Sequence, residues 1–349
     1  MIIADLFAGV GGMSEGFIMA GGFEVAFAVE FDKDIAKAYK KNHRDTDVYA
    51  TDICSLDVEE LHKKHPVIDI IIGGPPCQGF SQKGKRLSLD DPRNYLFQQY
   101  VRFVKEFKPK YFVLENVPNI LTASNGYFRD QIVSAFNSLG YEVRFGVLKA
   151  SDFGVPQDRH RAVFLGQQGK LEVELPQPKG IRTTIKEAIY DLPFINSGCG
   201  EEVSSYDKEP ISEYQRFMRN GSKVLYNHVA TKHSALALRR LAMIPKGAGK
   251  EVLPPEERTK SIYSGTWSRM IEDDISVTIT TRYDTPSSGR FTHPILDRCI
   301  TTREAARIQS FPDTFRFYGS KTCQMKQVGN AVPPLLAKAI AEQIKNNEL

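Results

Sequence analysis

Across the first 166 residues, short apolar β-rich runs alternate with segments of helical spacing, and no other feature of the chain limits the fold as strongly. The runs fall at 2–7, 25–29, 68–72, 111–114, 141–147 and 162–165, and the helical patterns between them include 34–41, 95–107 and 128–139. Strands alternating with helices are joined by βαβ crossovers, which predicts an α/β domain over 1–166 with a mainly parallel sheet and helices on both faces. Ligands of such sheets bind beyond the carboxyl ends of the strands.

The pattern breaks after Gly166. From 167 to 297 the chain is irregular and punctuated by prolines (Pro176, Pro178, Pro193, Pro210, Pro245, Pro254, Pro255, Pro286, Pro294), which predicts a second, smaller domain with shorter elements. Regular structure is expected again over 298–349, returning to the first domain. Thr301 with Glu304 forms a capping-box signature for a helix over 304–310, and a last helix is expected over 335–345 after Pro333-Pro334.

Composition narrows the class. The 349 residues are 41% hydrophobic and 25% charged, the mix of a globular protein. The apolar run at 67–72 is far too short to span a bilayer, and Met1 leads straight into IIADLF with no signal-peptide pattern. Cys54, Cys77, Cys199, Cys299 and Cys323 are widely spaced with no CxxC, and no HExxH occurs, so neither a disulfide framework nor a metal site is expected. A cytoplasmic protein with reduced thiols is the expectation. The formal net charge of +4 is small, but residues 214–270 hold eleven Lys/Arg against three Glu, a net of +8. Such a basic segment suits a phosphate-backbone contact and equally a merely solvated surface.

Two loops carry the chemistry. Residues 5–17 read DLFAGVGGMSEGF, where a strand runs into Gly9, Gly11 and Gly12 and a helix begins near Met13. Glycines there permit a tight turn and close approach of a ligand to the helix N-terminus. Position 14 is Ser, so this is not the GxGxxG dinucleotide fingerprint. Glu30 at the next strand end is placed to accept from ribose hydroxyls, and Asp52 at the third could accept from an exocyclic amine. Together they suggest a cofactor containing a nucleoside.

The second loop, 73–84, reads GGPPCQGFSQKG after the strand at 68–72. A cysteine on a loop at the carboxyl end of a parallel strand sits where nucleophiles sit, although free cysteines are more often buried and inert. The next strand ends in Glu115-Asn116-Val117-Pro118, offering a proton donor to pair with Cys77. Arg159 and Arg161 in QDRHR, two apart, are expected on one strand face, suited to a carbonyl or phosphate or to a solvent-facing basic edge.

DLFAGVGG, GGPPCQGFSQ, ENV, QDRHR, REAARIQSFP and QVGNAVPP, in that order, resemble the motifs of the cytosine-5 DNA methyltransferases. The resemblance covers about 2–166 and 298–340, and 167–297 falls where that family carries its variable target-recognition domain. It implies the methyltransferase form of the Rossmann-like mixed sheet. It also implies S-adenosylmethionine over Phe7, Ala8, Gly9, Gly11 and Gly12, with Glu30 and Phe31, Asp52 and Ile53, Pro76, and Asn330 and Ala331 completing its site. Double-stranded DNA is the implied partner, and the target cytosine would be flipped out of the duplex. Cys77 would attack carbon 6, Glu115 would hold and protonate ring nitrogen 3, and Arg159 and Arg161 would complete the catalytic set, Arg161 on the exocyclic carbonyl. Gln78 and Ser81 would touch DNA from the cysteine loop. Lys250, Arg258 and Lys260 on one variable-domain loop, and Arg282 and Arg290 on another, are candidate base or phosphate contacts, because Arg and Lys on guanine are the commonest pairing. No metal is implied. A modification partner of a cognate restriction endonuclease acting on the same site, without a stable complex, or a solitary or phage-type enzyme, a monomer on DNA, and a prokaryotic cytoplasm complete the expectation.

Three alternatives share parts of this pattern. A tRNA-methylating branch usually carries a CFT tripeptide, whereas Cys199 here precedes Gly-Glu. A catalytically silent relative would be expected to lose Cys77, Glu115, Arg159 or Arg161, and all four are present. A nicotinamide-dependent dehydrogenase would need the intact glycine fingerprint.

Overall fold

The computed structural model describes residues 1–76, 95–259 and 265–348. Contacts divide the chain into two compact units: residues 1–150, 160–179 and 332–349, and residues 151–159 and 180–331. The division differs from the boundaries expected at 166 and 297. Residues 298–331 cluster with the second unit, and of the C-terminal segment only 332–349 joins the first.

The first unit contains β1 (Ile2–Leu6), α1 (Gly12–Ala20), β2 (Glu24–Val29), α2 (Lys33–Asn42), β3 (Asp47–Tyr49), α3 (Val58–Lys64), β4 (Ile70–Gly73), α4 (Tyr95–Phe107), β5 (Tyr111–Asn116), α5 (Tyr127–Asn137) and β6 (Tyr141–Lys149). The two-residue strand β7 (Gln157–Asp158) belongs to the second unit, and β8 (His160–Gln168) returns to the first. The sheet order is β3-β2-β1-β4-β5-β8-β6. The five strands from β3 to β5 are parallel, whereas β8 runs antiparallel to both β5 and β6. This is the mixed α/β sheet expected. Its centre is built from β4, whose Ile70, Ile71 and Ile72 are fully buried, as a parallel strand covered on both faces requires. The edge strand β6 has exposed and covered positions interspersed.

Helix ends follow local chemistry. Asp32 caps α2 by accepting from Asp34 N and Ile35 N, and Asp57 caps α3 through Glu60 N. At the other end of the unit, α11 (Pro334–Asn347) packs on α1. A Cβ on Gly16 would lie 2.4 Å from Pro334 O and 2.5 Å from Ala337 Cβ, so this close crossing requires glycine at 16.

The second unit holds α6 (Ile185–Ile189), β9 (Gly200–Ser204), α7 (Glu213–Arg219), β10 (Leu225–Val229), α8 (Ala235–Ala242), β11 (Ser276–Val277), α9 (Thr302–Ile308) and α10 (Lys321–Asn330). β9 and β10 form an antiparallel pair, and β11 runs parallel to β7. The core of this unit is partly ionic. Arg307 hydrogen-bonds Asp313 (2.6 and 2.7 Å) and Asp191 (3.1 and 3.2 Å), all three side chains being fully buried. The expected capping box at Thr301 and Glu304 is present, and the same Glu304 carboxylate takes two 2.8 Å bonds from Arg298. Burial opposes ionisation of Glu304, but the Arg298 charge and its hydrogen bonds win and hold the carboxyl well below the usual range. REAARIQSFP is therefore largely a core motif.

Among the described residues no helix is long and apolar enough to cross a membrane, and no group of His, Cys, Asp and Glu could hold a metal ion.

Candidate active site

The glycine loop lies at the carboxyl end of β1. Phe7 leaves the strand with φ 57°, Gly9 has φ 56° and Gly11 φ 94°, so the chain turns through the left-handed region three times in five residues. The expected strand over 2–7 therefore ends one residue early, at Leu6. Open space surrounds the position a Cβ would take on Gly9, whereas one on Gly11 would lie 2.5 Å from His43 Nε2. The loop is thus closed on its inner side and open on its outer side. Glu30 bridges it to β2: its Oε2 accepts from Gly9 N (2.9 Å) and its Oε1 from Asp32 N (2.8 Å). Burial raises the Glu30 pKa, and these backbone bonds partly offset the rise. The adjoining Phe31 ring is 73% exposed, an unusual position for a large aromatic and a ready platform for a flat heterocycle. Asp52 caps a single helical turn through Cys54 N (2.9 Å) and remains exposed, and Ile53 beside it is buried. Open space at Gly9, an exposed aromatic and a carboxylate at the next strand end fit a nucleoside-bearing cofactor.

The acid of ENV sits two strands away. β5 extends through Asn116, so Glu115 lies within the strand and not beyond it, as the expected strand over 111–114 implied. Glu115 pairs with Val163 across β8, and Arg161, two residues earlier on β8, reaches its carboxylate with Nε–Oε1 2.6 Å. Both side chains are about 15% exposed, so the ion pair is sheltered while still open to a ligand. Asn116 points the other way: its Nδ2 donates to Pro75 O (2.9 Å), fixing the backbone two residues before Cys77. Pro76 is the last described residue of that loop. Cys77, Gln78 and Ser81 lie outside the described residues, as does Lys260.

The two arginines of QDRHR do not share one surface. Arg159 falls between β7 and β8, is 1% exposed, and donates to Ile279 O (3.2 Å) and Gly329 O (3.1 Å). Arg161 carries the pair with Glu115. The expected continuous strand is broken at 159, and the side-chain alternation breaks with it. Neighbouring Gln157, fully buried, accepts from Ile279 N and donates to Gln309 Oε1 (2.6 Å), and Gln309 Nε2 donates to Val328 O and Ala331 O. Gln157, Gln309 and the QVGNA segment with Asn330 and Ala331 are thereby joined inside the second unit. Nothing local to the sequence marks the two glutamines as partners, 152 residues apart.

The candidate DNA-reading loops are anchored on one segment. Arg269 N donates to Ala248 O (3.0 Å), whereas Trp267 N donates to Pro286 O (2.6 Å) and Met270 N to Thr292 O (2.9 Å). Lys250 and Arg258 therefore sit on one loop tied to 267–270, and Arg282 and Arg290 on another tied to the same segment. Arg258 and Arg282 are exposed, while Lys250 and Arg290 are half-buried. Much of the basic run at 214–270 is already engaged. Arg269 is buried among backbone carbonyls, Arg239 and Arg240 hold Glu257, and Lys246 pairs with Glu272.

The model of the C-5 cytosine-specific DNA methylase family matches residues 1–346. The chain is 41% identical over 372 residues to the type II methyltransferase M.DdeI of Desulfomicrobium norvegicum, covering 99% of this chain and 88% of that protein. It is 39% identical over 345 residues to the type II methyltransferase M1.HphI of Haemophilus parahaemolyticus, covering 97% and 85%. A solved structure described as a DNA modification methyltransferase encoded within an E. coli prophage superposes with a TM-score of 0.80 at 30% identity, covering 99% of both chains.

Proposed function

The chain belongs to the C-5 cytosine-specific DNA methylases and methylates carbon 5 of cytosine in DNA from S-adenosylmethionine, and we propose that Cys77, Glu115 and Arg161 do the chemistry. The observation that carries this assignment is the sheltered Arg161–Glu115 pair on adjacent strands beyond β4, whose loop leads to Cys77.

Cytosine carbon 5 is a weak nucleophile, and a thiolate adding to carbon 6 makes it carbanion-like. Cys77 is the group assigned to that addition. As the C6–S bond forms, the C5=C6 electrons are pushed into the ring, which needs a proton at nitrogen 3 and a fixed exocyclic oxygen. Glu115 supplies the proton after taking one up from water when the base binds, and Arg161 holds the oxygen through donors other than the Nε on Glu115. S-adenosylmethionine supplies an electrophilic methyl group on a sulfonium. Once carbon 5 carries the methyl group, it loses its proton to water as the C6–S bond breaks and Cys77 leaves as thiolate, and Glu115 takes the nitrogen-3 proton back. Phe7, Ala8, Gly9, Gly11, Gly12, Glu30, Phe31, Asp52, Ile53, Pro76, Asn330 and Ala331 are assigned to the cofactor.

Arg159 is assigned a positioning role in place of the ligand contact expected of it. Its guanidinium spans two backbone carbonyls of the second unit, which is how a buried arginine organises a fold. Lys250, Arg258, Lys260, Arg282 and Arg290, with Gln78 and Ser81, are assigned to double-stranded DNA. We assign the protein to a prokaryotic cytoplasm, in keeping with the type II relatives, acting as a monomer on DNA, with an endonuclease for the same site as the partner class.

Bisulfite sequencing of a plasmid carried with this protein tests the reading and reveals the target sequence. DNA bearing 5-fluorocytosine at that site should trap a covalent complex with the wild type and none with Cys77→Ser, because fluorine cannot leave as a proton does. Soluble protein that leaves no 5-methylcytosine would overturn the assignment.

A further inference from the structure

α1 starts without a cap of its own. Its N-cap is Gly11, in the left-handed region and with no side chain to hold the first-turn N–H groups. Those groups face the glycine loop, so something else must fix where the helix begins. Ser14, in the first turn and fully buried, donates from Oγ to Asp5 Oδ2 at 2.6 Å, and its Oγ is 2.7 Å from the Tyr39 hydroxyl. With the Ser14 proton on Asp5, the Tyr39 hydroxyl is the donor of the second bond. Tyr39 comes from α2, is fully buried, and packs against His43 with ring centroids 4.5 Å apart and the planes tilted by 46°. The His43 ring in turn fills the space behind Gly11. The relay therefore spans β1, α1 and α2, the three elements that enclose the loop.

Such a relay is costly in a core where apolar side chains would pack as well. Burial lifts Asp5 to about 7, with Ser14 drawing it down and Glu30 pushing it further up. Burial also lifts Glu15 in the first turn of α1 to about 7, whereas it depresses His43 to about 4 and leaves that ring neutral. Tyr100 of α4 also feels the Asp5 charge, with its hydroxyl committed to Ile71 O and Val113 O. Directional bonds fix a distance and an angle where apolar packing fixes only a contact.

We propose that Ser14 and Tyr39 are positioning residues for S-adenosylmethionine, clamping the first turn of α1 to Asp5 so that residues 9–12 keep the shape that receives the cofactor. The proposal rests on the assignment of the glycine loop to that cofactor. Both side chains are fully buried and neither is assigned to the target base or DNA, so their removal weakens cofactor binding and spares the chemical step.

The test is calorimetric titration of S-adenosylmethionine and S-adenosylhomocysteine into the full chain, for the wild type, Ser14→Ala, Tyr39→Phe and the double variant. Cofactor KM, kcat at saturating cofactor, DNA affinity by mobility shift and Tm are measured alongside. Both single variants should raise Kd for both ligands about 5- to 30-fold, with KM rising in step and kcat and DNA affinity within twofold of wild type. The double variant should lose little more than Ser14→Ala, because one relay is broken once. Tyr39→Phe keeps the ring on His43 and removes a single oxygen, so it decides the matter if Ser14→Ala does not fold. Ligand Kd within twofold of wild type in folded Tyr39→Phe overturns the proposal. So does a parallel fall of cofactor affinity, DNA affinity and Tm, the mark of a general structural contact. Wild-type protein that binds neither ligand would instead overturn the assignment of the loop.

Discussion

Arg161 Nε lies 2.6 Å from Glu115 Oε1, on strands that run antiparallel, with each side chain open enough to meet a ligand. The contact orients the acid from one side and leaves its Oε2 side for a base. Glu115→Gln should lower kcat by about 10²-fold or more, because the amide cannot deliver the ring-nitrogen proton. Arg161→Ala should cost about as much, and the double variant should be far from additive, since each group acts through the other. Single-turnover methyl transfer from labelled cofactor measures all three, and near-wild-type activity in Glu115→Gln would remove that residue from the chemistry.

Asn116 Nδ2 holds Pro75 O at 2.9 Å. Asn116→Ala should free the backbone leading to Cys77 and lower kcat by about 10- to 100-fold, the scale of a misplaced reacting group. Cofactor KM should move by less than kcat, through neighbouring Pro76 alone. Steady-state kinetics with each substrate varied in turn separates the two outcomes.

Gly16 is the crossing point of α1 and α11. A methyl at 16 meets a carbonyl and a Cβ closer than contact distance. Gly16→Ala should destabilise the chain by about 1–3 kcal/mol through overpacking, and urea unfolding midpoints give the number.

Arg307 lies between Asp191 and Asp313 in a fully buried cluster, with Arg303 also 3.5 Å from Asp313 and Arg219 3.6 Å from Asp191. Arg307→Met removes the guanidinium that the two buried carboxylates share, leaves them only the longer contacts to Arg303 and Arg219, and should cost about 3–5 kcal/mol. Replacing all three residues with apolar ones of matched volume should restore much of that loss, which calorimetric Tm values would record.

His43 carries a prediction about pH. Its folded pKa is lowered to about 4 from 6.5 by burial, so the unfolded chain binds the extra proton between those values. Stability from the neutral ring is complete above pH 6.5 and drains away as pH falls towards 4, by on the order of 3 kcal/mol. His293, lowered to about 3, acts in the same direction. His43→Phe should flatten the acid side of the stability curve, read from denaturant unfolding at pH 7 and pH 4.5.

The sheet was legible because its strands announce themselves. Residues 68–72 and 111–114 are buried apolar runs, and α4 begins and ends where its spacing places it. Elements with weak patterns were not. β3 is three half-buried residues, and α10, KTCQMKQVGN, is mostly polar with no apolar stripe to mark it as a helix. Glu115 and Arg161 were legible as a site because each belongs to a distinctive motif. Arg159 was misplaced because strand alternation was carried through a break between β7 and β8 that depends on pairing with β11, more than a hundred residues later. Ser14 and Tyr39 read as ordinary helix residues, since the hydrogen-bond partner that gives them meaning lies on another element.

The packing of α11 on α1 also bears on how the protein comes into being. Gly16 and Pro334 touch across 318 positions of chain. Loop closure over that separation is slow and entropically unfavourable, and the contact forms only after everything between has been made. The apolar face of α1 therefore stays uncovered on the ribosome until α11 emerges. The methylating machinery is completed only once α11 has been made, and a chain cut short before 334 keeps its glycine loop in sequence while lacking the helix that braces it.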